Sequence, residues 1–279
     1  MHTVAPLPST FNRAEVRKLG LRFAPSLIET IETVTHLAAF TLITLATGWT
    51  RFGQNSRVIR PRTLHEIHRS GVQLLPIVGF LGIALGVVFV GQTLALMQQV
   101  GASGFSGTLI VTVFIRELAP LTAGLVVLAR VGTATVIELG TARALGEVEA
   151  LEALGVDPIH YLVLPRVVGF TTSVLCLSLY LILLTLTSGY AFAFTRGLKT
   201  SPAEFFGSIA LALNWLDFPM LLAKTTSFGA AIGLIICYHG LARPLALDEV
   251  SQATTRTVGH CVIACLLLDA LFIALYLFL

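Results

Sequence analysis

The amino-acid sequence predicts an all-α integral membrane protein with five transmembrane helices, an amino-terminal interfacial helix and a short amphipathic helix between the second and third spans. Of its 279 residues, 55% are apolar and only 12% are charged. A soluble domain carries about 25% charged residues, so much of the apolar surface of this chain must face lipid. Residues 78–90, VGFLGIALGVVFV, are apolar on every face, which favours a membrane helix over a β-barrel strand.

We expect the segment before the first span, residues 26–47, to form a helix that lies in the membrane interface. Glu29, Glu32 and His36 place polar groups in its first half. An interfacial helix can turn such groups toward water, whereas a spanning helix must bury them. A sixth crossing is the alternative, and it would bring both chain ends to the same side of the membrane.

Five apolar stretches are long enough to cross a bilayer, because a spanning helix needs roughly 20 residues. They are residues 71–97, 106–137, 167–195, 219–240 and 257–279. We therefore assign residues 1–70 to a cytoplasmic or interfacial segment and residues 71–279 to the membrane domain. In the first span, Gly82 and Gly86 form a G-x-x-x-G pair, which predicts close helix packing within the chain or with a partner.

The distribution of lysine and arginine predicts the orientation of the spans. The end of the second apolar stretch carries Arg130 and the connection to the third carries Arg143 and Arg166, whereas the opposite loops carry only Arg196 and Lys199. Cytoplasmic loops are enriched in these residues. We therefore expect a cytoplasmic amino terminus and, after five crossings, a carboxyl terminus on the far side.

Four charged residues lie inside the spans: Arg116, Glu117, Lys224 and Asp269. Each costs a few kilocalories per mole unless it is paired, so such residues are functional candidates. At about 1.5 Å per residue, Lys224 and Asp269 lie at similar depths, which predicts that they interact and offset part of their desolvation. With Arg116 and Glu117 they predict a polar patch for a ligand with a charged head and apolar tails. The alternative for Arg116 and Glu117 is a local ion pair that only helps the helices to pack.

A second region of interest lies between the second and third spans, TARALGEVEALEALGVDPIHYLVLPR at 141–166. Four apolar residues recur there at helical spacing: Leu145, Val148, Leu151 and Leu154. This pattern predicts an amphipathic helix over about 143–155, with Gly155 as its carboxyl-terminal cap and Asp157-Pro158 opening the next helix. A helix away from the membrane needs a surface to pack on, which indicates a cytoplasmic partner protein. Lying flat on the membrane is the alternative, but its acidic residues would be repelled by anionic lipid.

Several motifs that would indicate other functions do not occur. The sequence contains no G-x-x-x-x-G-K-[ST] loop, so any ATP must be bound by another subunit. His65 and His68 do not form the zinc motif H-E-x-x-H, because position 69 is Arg69. We expect no metal site and no nucleic-acid partner.

Two stretches resemble the MlaE-type permeases of ABC phospholipid transporters. They are IRELAPLTAGLVVLARVGTATVIELGTARALGEVEALEALGVDPIHYLVLPRVVG at 115–169 and TTRTVGHCVIACLLLD at 254–269. The resemblance implies a homodimer in a bacterial inner membrane, with each subunit bound to a cytoplasmic P-loop ATPase that holds ATP and magnesium. It also implies a periplasmic hexamer of MCE-domain proteins and often a STAS-domain protein on the ATPase. The chain itself would be neither an enzyme nor a cofactor carrier.

The resemblance also implies roles for particular residues. Phospholipid would occupy a cavity at the dimer interface that opens to the periplasm, lined by Arg116 and Glu117 and supported by Lys224 and Asp269. A coupling helix at 143–155 would insert into the ATPase. Its contact residues would be Glu147, Val148, Glu149, Leu151, Leu154, Gly155, Asp157 and Pro158. The sequence departs from the family at Gly146, where relatives commonly carry an acid.

The function expected from this resemblance is movement of phospholipid between the inner membrane and a periplasmic MCE-domain protein, which maintains the lipid asymmetry of the outer membrane. Transport of another lipid, such as a sterol or a fatty acid, is one alternative. An intramembrane lipid-modifying enzyme is another, with Glu117 and either His239 or His260 as acid and base. An ion-coupled secondary transporter is disfavoured because five spans show no two inverted halves.

Overall fold

The structure is a computed structural model that describes residues 40–42, 44, 56–197, 201–241 and 250–278. Its main helices are α1 (Ile59–Gln99), α2 (Ser106–Ala144), α3 (Glu147–Ala153), α4 (Ile159–Thr195), α5 (Pro202–Ala212), α6 (Asp217–Leu241) and α7 (Val250–Phe278). Helices α1, α2, α4, α6 and α7 are long and apolar enough to cross a membrane. The predicted all-α membrane fold with five spans is confirmed.

The beginning of the chain is only partly described. The predicted interfacial helix at 26–47 lies outside the described residues, apart from 40–42 and 44. The boundary that we placed at residue 70 falls inside α1, where a short 3₁₀ turn, Val72–Leu74, interrupts the α-helix. Residues Thr44–Leu279 form one compact unit.

Helix α4 lies at the centre of the bundle and packs against α1, α2 and α6. The G-x-x-x-G pair of α1 faces α4 of the same chain. A Cβ atom added to Gly86 would lie 2.0 Å from Ser188 Oγ, and one added to Gly82 would lie 3.0 Å from Leu184 Cβ. Thr185 Oγ1 donates a hydrogen bond of 3.1 Å to the Gly82 carbonyl. Small residues therefore bring these two helices into backbone contact.

Helices α6 and α7 differ in how far the chain buries them. Large side chains of α6 such as Phe228, Ile232 and Ile236 are fully buried. On α7, half or more of the surface of several apolar side chains is exposed: Ile263, Leu266, Leu267 and Leu271. Such a helix suits contact with lipid or with another membrane protein.

The spanning helices alternate in direction, which gives the bundle two distinct ends. We call the end that contains α3 the α3 end and the end that contains α5 the α5 end. At the α3 end, the Arg143 Nη1 atom of α2 donates a 2.5 Å hydrogen bond to the Leu241 carbonyl at the end of α6. At the α5 end, a Cβ atom added to Gly107 near the start of α2 would lie 2.5 Å from the Ser208 carbonyl oxygen. Helix α5 therefore packs closely on the beginning of α2.

The predicted helix near 143–155 is present but shorter, because α3 covers only Glu147–Ala153. Helix α2 continues through Ala144, and the chain then turns at Gly146, whose φ angle is +76°. This left-handed conformation strains any residue with a side chain, so Gly146 separates α2 from α3. The predicted cap at Gly155 is confirmed, with φ at +74°. Asp157 Oδ1 accepts a 3.0 Å hydrogen bond from the Ile159 N–H, as expected for a residue that opens a helix.

Candidate functional site

A cluster of charged side chains lies within the spanning helices, toward the α5 end. This polar cluster takes two residues from each of three helices, α2, α6 and α7. Its members are Arg116, Glu117, Asp217, Lys224, Asp269 and Tyr276. The two residues from α6 are seven apart, as are the two from α7, which places each pair on one face of its helix, two turns apart.

Lys224 is the buried centre of this cluster, with its side chain only 3% exposed. Its Nζ atom lies 2.7 Å from Asp269 Oδ1, donates to Glu117 Oε2 and donates to the Arg116 carbonyl oxygen at 3.0 Å. The predicted approach of Lys224 to Asp269 is confirmed. An ammonium group has three donors, and three oxygen atoms from two neighbouring helices surround this one.

Pro120 explains why a main-chain oxygen joins the cluster. In an α-helix the N–H of residue 120 would donate to the carbonyl of residue 116, but proline has no N–H. The stretch just before it, Ile110–Leu118, has π-helical hydrogen bonding, a distortion often found at functional sites. The Arg116 carbonyl oxygen accepts a hydrogen bond from Lys224 Nζ.

Arg116 pairs with Asp217 of α6. Its Nη2 atom donates to Asp217 Oδ2 at 3.0 Å, and its Nε atom lies 3.0 Å from Oδ1. Asp217 also accepts from Tyr276 Oη at 2.7 Å and from the Asn214 N–H at 2.8 Å. The Arg116 guanidinium carbon lies 4.8 Å from the centre of the Tyr276 ring, within the range of a cation–π contact. Arg116 and Glu117 thus bind different partners on α6, and they do not form the local ion pair considered as the alternative.

The polar cluster has an accessible side and an excess of negative charge. Two cations face three carboxylates, so one negative charge is in excess when all are ionised. Arg116 and Glu117 are each about one quarter exposed, whereas the side chains of Lys224 and Asp217 are buried. A cavity of about 190 Å³ beside the cluster is lined by Arg116, Asp217 and Tyr276 with three neighbours from the α5–α6 connection and α6. A ligand would therefore meet the arginine and the glutamate before the lysine.

Sequence reasoning missed Asp217, Tyr276 and the connection that carries Asn214. Asp217 lies two residues before the predicted start of the fourth span, so it counted as a loop residue. Its spacing of seven from Lys224 was an available signal, because that spacing places both on one helix face. Nothing in the local sequence marks Tyr276, which joins the cluster only through the packing of α7 on α6.

The candidate coupling residues lie on and around α3. Val148 is buried, Leu151, Asp157 and Pro158 are half-buried, and the remaining four are exposed: Glu147, Glu149, Leu154 and Gly155. Leu154 is 78% exposed and Leu145 is 64% exposed. The described chain therefore leaves part of this apolar surface uncovered.

Arg143 connects α3 to the rest of the bundle. Its Nε atom lies 3.7 Å from Glu149 Oε1, and its Nη1 atom bonds to the Leu241 carbonyl at the end of α6. Helix α6 also carries Asp217 and Lys224 near its other end. A single helix therefore joins the neighbourhood of α3 to the polar cluster.

The groups required by the enzyme alternative lie at opposite ends of the bundle. His260 Nδ1 and His239 Nε2 are 3.0 Å apart at the α3 end. His239 is 15 residues beyond Lys224, or about 22 Å along α6, and Lys224 binds Glu117. Neither histidine can therefore share a reacting atom with Glu117. Among the described residues, no group of three or more histidine, cysteine or acidic side chains could hold a metal ion.

Comparison with known proteins agrees with this architecture. A family model described as Permease MlaE matches residues 63–275. A probable ABC transporter permease protein of Rickettsia conorii is 32% identical over 235 residues, covering 81% of this chain and 88% of the relative. The intermembrane phospholipid transport system permease protein MlaE of Haemophilus influenzae is 27% identical over 217 residues, covering 77% of this chain and 82% of the relative. The chloroplastic protein TRIGALACTOSYLDIACYLGLYCEROL 1 of Arabidopsis thaliana is 30% identical over 204 residues, covering 70% of this chain and 56% of the relative. The chain is a multi-pass membrane protein that belongs to the MlaE permease family.

Proposed function

We propose that this chain is the membrane subunit of an ATP-driven phospholipid transporter, and that the polar cluster receives the lipid head group. The observation that carries this proposal is the burial of Lys224 among Glu117, Asp269 and the Arg116 carbonyl, between apolar spanning helices toward the α5 end. Ionisable groups at such a depth are costly and mark substrate pathways. The relative from Haemophilus influenzae is named for phospholipid transport.

The charges of the accessible groups suit a phospholipid better than the other lipids considered. A phospholipid head group combines an anionic phosphodiester with, in many cases, a cationic amine. Arg116 can approach the phosphodiester, and Glu117 can accept a hydrogen bond from an amine. A sterol offers neither charge, and a fatty acid offers an anion for Arg116 but no amine for Glu117.

The same proposal gives α3 a role in coupling to ATP. The exposed apolar side chains Leu145 and Leu154 would pack on a cytoplasmic P-loop ATPase, which would hold ATP and magnesium. Movement of α3 would reach α6 through Arg143, and α6 would then shift Lys224 and its partners. Rigid-body movement of packed helices is a common form of such coupling.

The proposal also specifies the orientation of the chain in the membrane and the proteins that assemble with it. The α3 end faces the cytoplasm of a bacterial cell, the carboxyl terminus faces the periplasm, and the membrane is the inner membrane. Two copies of the chain assemble with the ATPases, with a periplasmic MCE-domain hexamer and, in some systems, with a STAS-domain protein. The transport maintains the asymmetry of the outer membrane.

Reconstitution of the full chain with its ATPase tests the proposed role of the cluster. Proteoliposomes with a fluorescent phospholipid and a lipid acceptor should show ATP-dependent lipid transfer, and Lys224→Met should abolish it while the complex stays assembled. Arg196→Met is the matched control, because Arg196 is an exposed cation near the α5 end outside the cluster, and it should transport normally. Equal loss in both variants, or turnover of the lipid by the chain without the ATPase, would contradict the proposal.

The proposed ATPase contact is tested separately. Leu154→Asp should prevent co-purification of the ATPase, because a carboxylate at a packed apolar contact must be desolvated. Leu211→Asp is the control, since Leu211 is 90% exposed on α5 at the other end. Retention of the ATPase by the Leu154→Asp variant would show that α3 is not the docking element.

A further inference from the structure

A second set of ion pairs lies at the α3 end, in a region that sequence reasoning did not single out as a site. Arg166 of α4 is buried at its centre, with 2% of its side chain exposed. Its Nη2 atom lies 2.7 Å from Glu138 Oε1, and its Nε atom lies 3.6 Å from Glu66 Oε1. Arg69 Nη1 lies 2.6 Å from the other oxygen of Glu138. These four residues, the α3-end cluster, balance two guanidinium groups with two carboxylates.

One further arginine, Arg62, lies beside this cluster and has no carboxylate partner among the described residues. The guanidinium carbon of Arg62 lies 4.3 Å from the centre of the Tyr161 ring, which fixes the group by a cation–π contact. Within the described part of the chain, no ion pair includes Arg62. Arg62 therefore adds one positive charge to an otherwise balanced cluster.

Arg62 and Arg69 face the same open cavity. The cavity has a volume of about 360 Å³, and its lining includes both arginines, His65 and Tyr161. The α1 residues lie on one helix face, because they are three and seven positions apart. Ligand sites range from about 300 to 1,000 Å³, so the cavity can hold a small charged group with its hydration.

We propose that this cavity binds a phosphate-bearing anion between Arg62 and Arg69. Guanidinium groups match phosphate oxygens through two parallel N–H donors, and the His65 ring can supply another donor. Glu66 and Glu138 also line the cavity, but Arg166 holds both in place, and Arg69 and Arg166 together balance their two charges. The uncompensated charge of Arg62 is therefore available to a ligand.

Two sources could supply such an anion, namely an anionic lipid head group and free phosphate from solution. A lipid is the expected source if the α3 end faces the cytoplasm, because that leaflet is rich in anionic lipid. Only this choice of source rests on the orientation in the proposed function. The cavity lies at the end of the bundle opposite the polar cluster, so failure of one proposal leaves the other intact.

The test uses the purified full chain in maltoside detergent, which contains no phosphate. The unfolding midpoint is measured while dioctanoyl phosphatidylglycerol is added, with dioctanoylglycerol as the matched lipid that lacks the phosphate and inorganic phosphate as the third ligand. A ligand that binds only the folded state raises the midpoint. We expect phosphatidylglycerol to stabilise the chain and dioctanoylglycerol not to do so. Stabilisation by inorganic phosphate alone would assign the site to a free anion.

Substitutions place the effect in the cavity. Arg62→Gln should weaken binding of the stabilising ligand about tenfold, which corresponds to about 1.4 kcal/mol, without unfolding the chain, because no ion pair of the described chain is broken. Arg60→Gln removes the same charge from an exposed position of the same helix and should bind normally. Arg62→Lys should retain part of the affinity because it keeps the charge. The proposal is overturned if no ligand stabilises the wild type, or if the Arg60 and Arg62 variants lose affinity equally.

Discussion

Two charged clusters lie at opposite ends of the bundle. They are built in the same way, but the charge in excess is negative at the polar cluster and positive at the cavity beside the α3-end cluster. Each has one fully buried cation, Lys224 in the polar cluster and Arg166 in the α3-end cluster, held by carboxylates from neighbouring helices. The polar cluster contains Glu117, a partly exposed group of the sign in excess, and the partly exposed Arg62 lies beside the balanced α3-end cluster. The buried cations join neighbouring helices, whereas Glu117 and Arg62 are accessible from outside the bundle.

The clusters also differ in position. Helix α2 contributes Glu117 to one and Glu138 to the other, and these residues are separated by about 32 Å along the helix. This distance is close to the thickness of a bilayer hydrocarbon core, about 30 Å. One lipid head group cannot meet both clusters at the same time, so the two proposed sites would take different ligands or act at different steps.

The largest expected effect comes from removing the buried cation of the polar cluster. Lys224→Met leaves Glu117 and Asp269 without their shared partner, and loss of one member of a buried ion pair costs about 3–5 kcal/mol. The unfolding free energy in detergent measures this loss. Adding Glu117→Gln and Asp269→Asn to Lys224→Met should recover most of the stability but no lipid transport. A triple variant as unstable as the single one would show that Lys224 stabilises the fold by packing alone.

A smaller effect is expected when Glu117, the exposed group of the polar cluster, is changed instead of Lys224, its buried centre. Glu117→Gln should lower lipid transport about tenfold, the loss expected from one charge-assisted hydrogen bond, while the chain remains folded and bound to the ATPase. Glu204→Gln is the control, because Glu204 is an exposed acid of α5 and glutamine preserves its capping interaction with Ser201. Unchanged transport in the Glu117 variant would remove this residue from the lipid path.

The next largest effect is expected from Arg143, which connects α3 to the end of α6. Arg143→Gln removes the charged contact between α3 and the end of α6, and we expect transport to fall several-fold while ATP hydrolysis and ATPase binding continue. Arg130→Gln removes an exposed arginine from the same helix and should leave transport unchanged. The ratio of lipid transferred to ATP hydrolysed is the measurement. An unchanged ratio in the Arg143 variant would show that α6 does not carry the movement of α3.

The smallest effect concerns the outer pair of the α3-end cluster. The side chains of Arg69 and Glu138 are 27% and 43% exposed, so Arg69→Gln should cost about 1 kcal/mol or less. At about 1 M salt, where the screening length falls to about 3 Å, the stability difference from wild type should disappear. The loss caused by Lys224→Met should persist at the same salt concentration because that pair is buried. Equal salt dependence of both losses would contradict the distinction between the buried ion pair of Lys224 and the exposed ion pair of Arg69.

Several features of the fold and site follow from the sequence alone, because they depend on local composition. The number of spans depends on the length of apolar runs, and the cost of an isolated charge in such a run identifies Lys224 and Asp269 as candidates. The turn at Gly155 and the helix start at Asp157 depend on backbone preferences of single residues. Family membership likewise follows from the stretch at 115–169, because its residues retain the family pattern.

Which charged side chains pair with each other depends on the tertiary structure. The partners Arg116 and Asp217 are 101 residues apart, and Lys224 and Glu117 are 107 apart. These pairings depend on the rotation and depth of each helix against its neighbours, which apolar runs of similar composition do not specify. The end of α2 before Gly146 could not be predicted from the sequence either. The apolar spacing that begins at Leu145 continues past Gly146, although the backbone turns there. The sequence thus determined the spans and the cost of the charges within them, whereas helix packing decided how pairing offsets that cost.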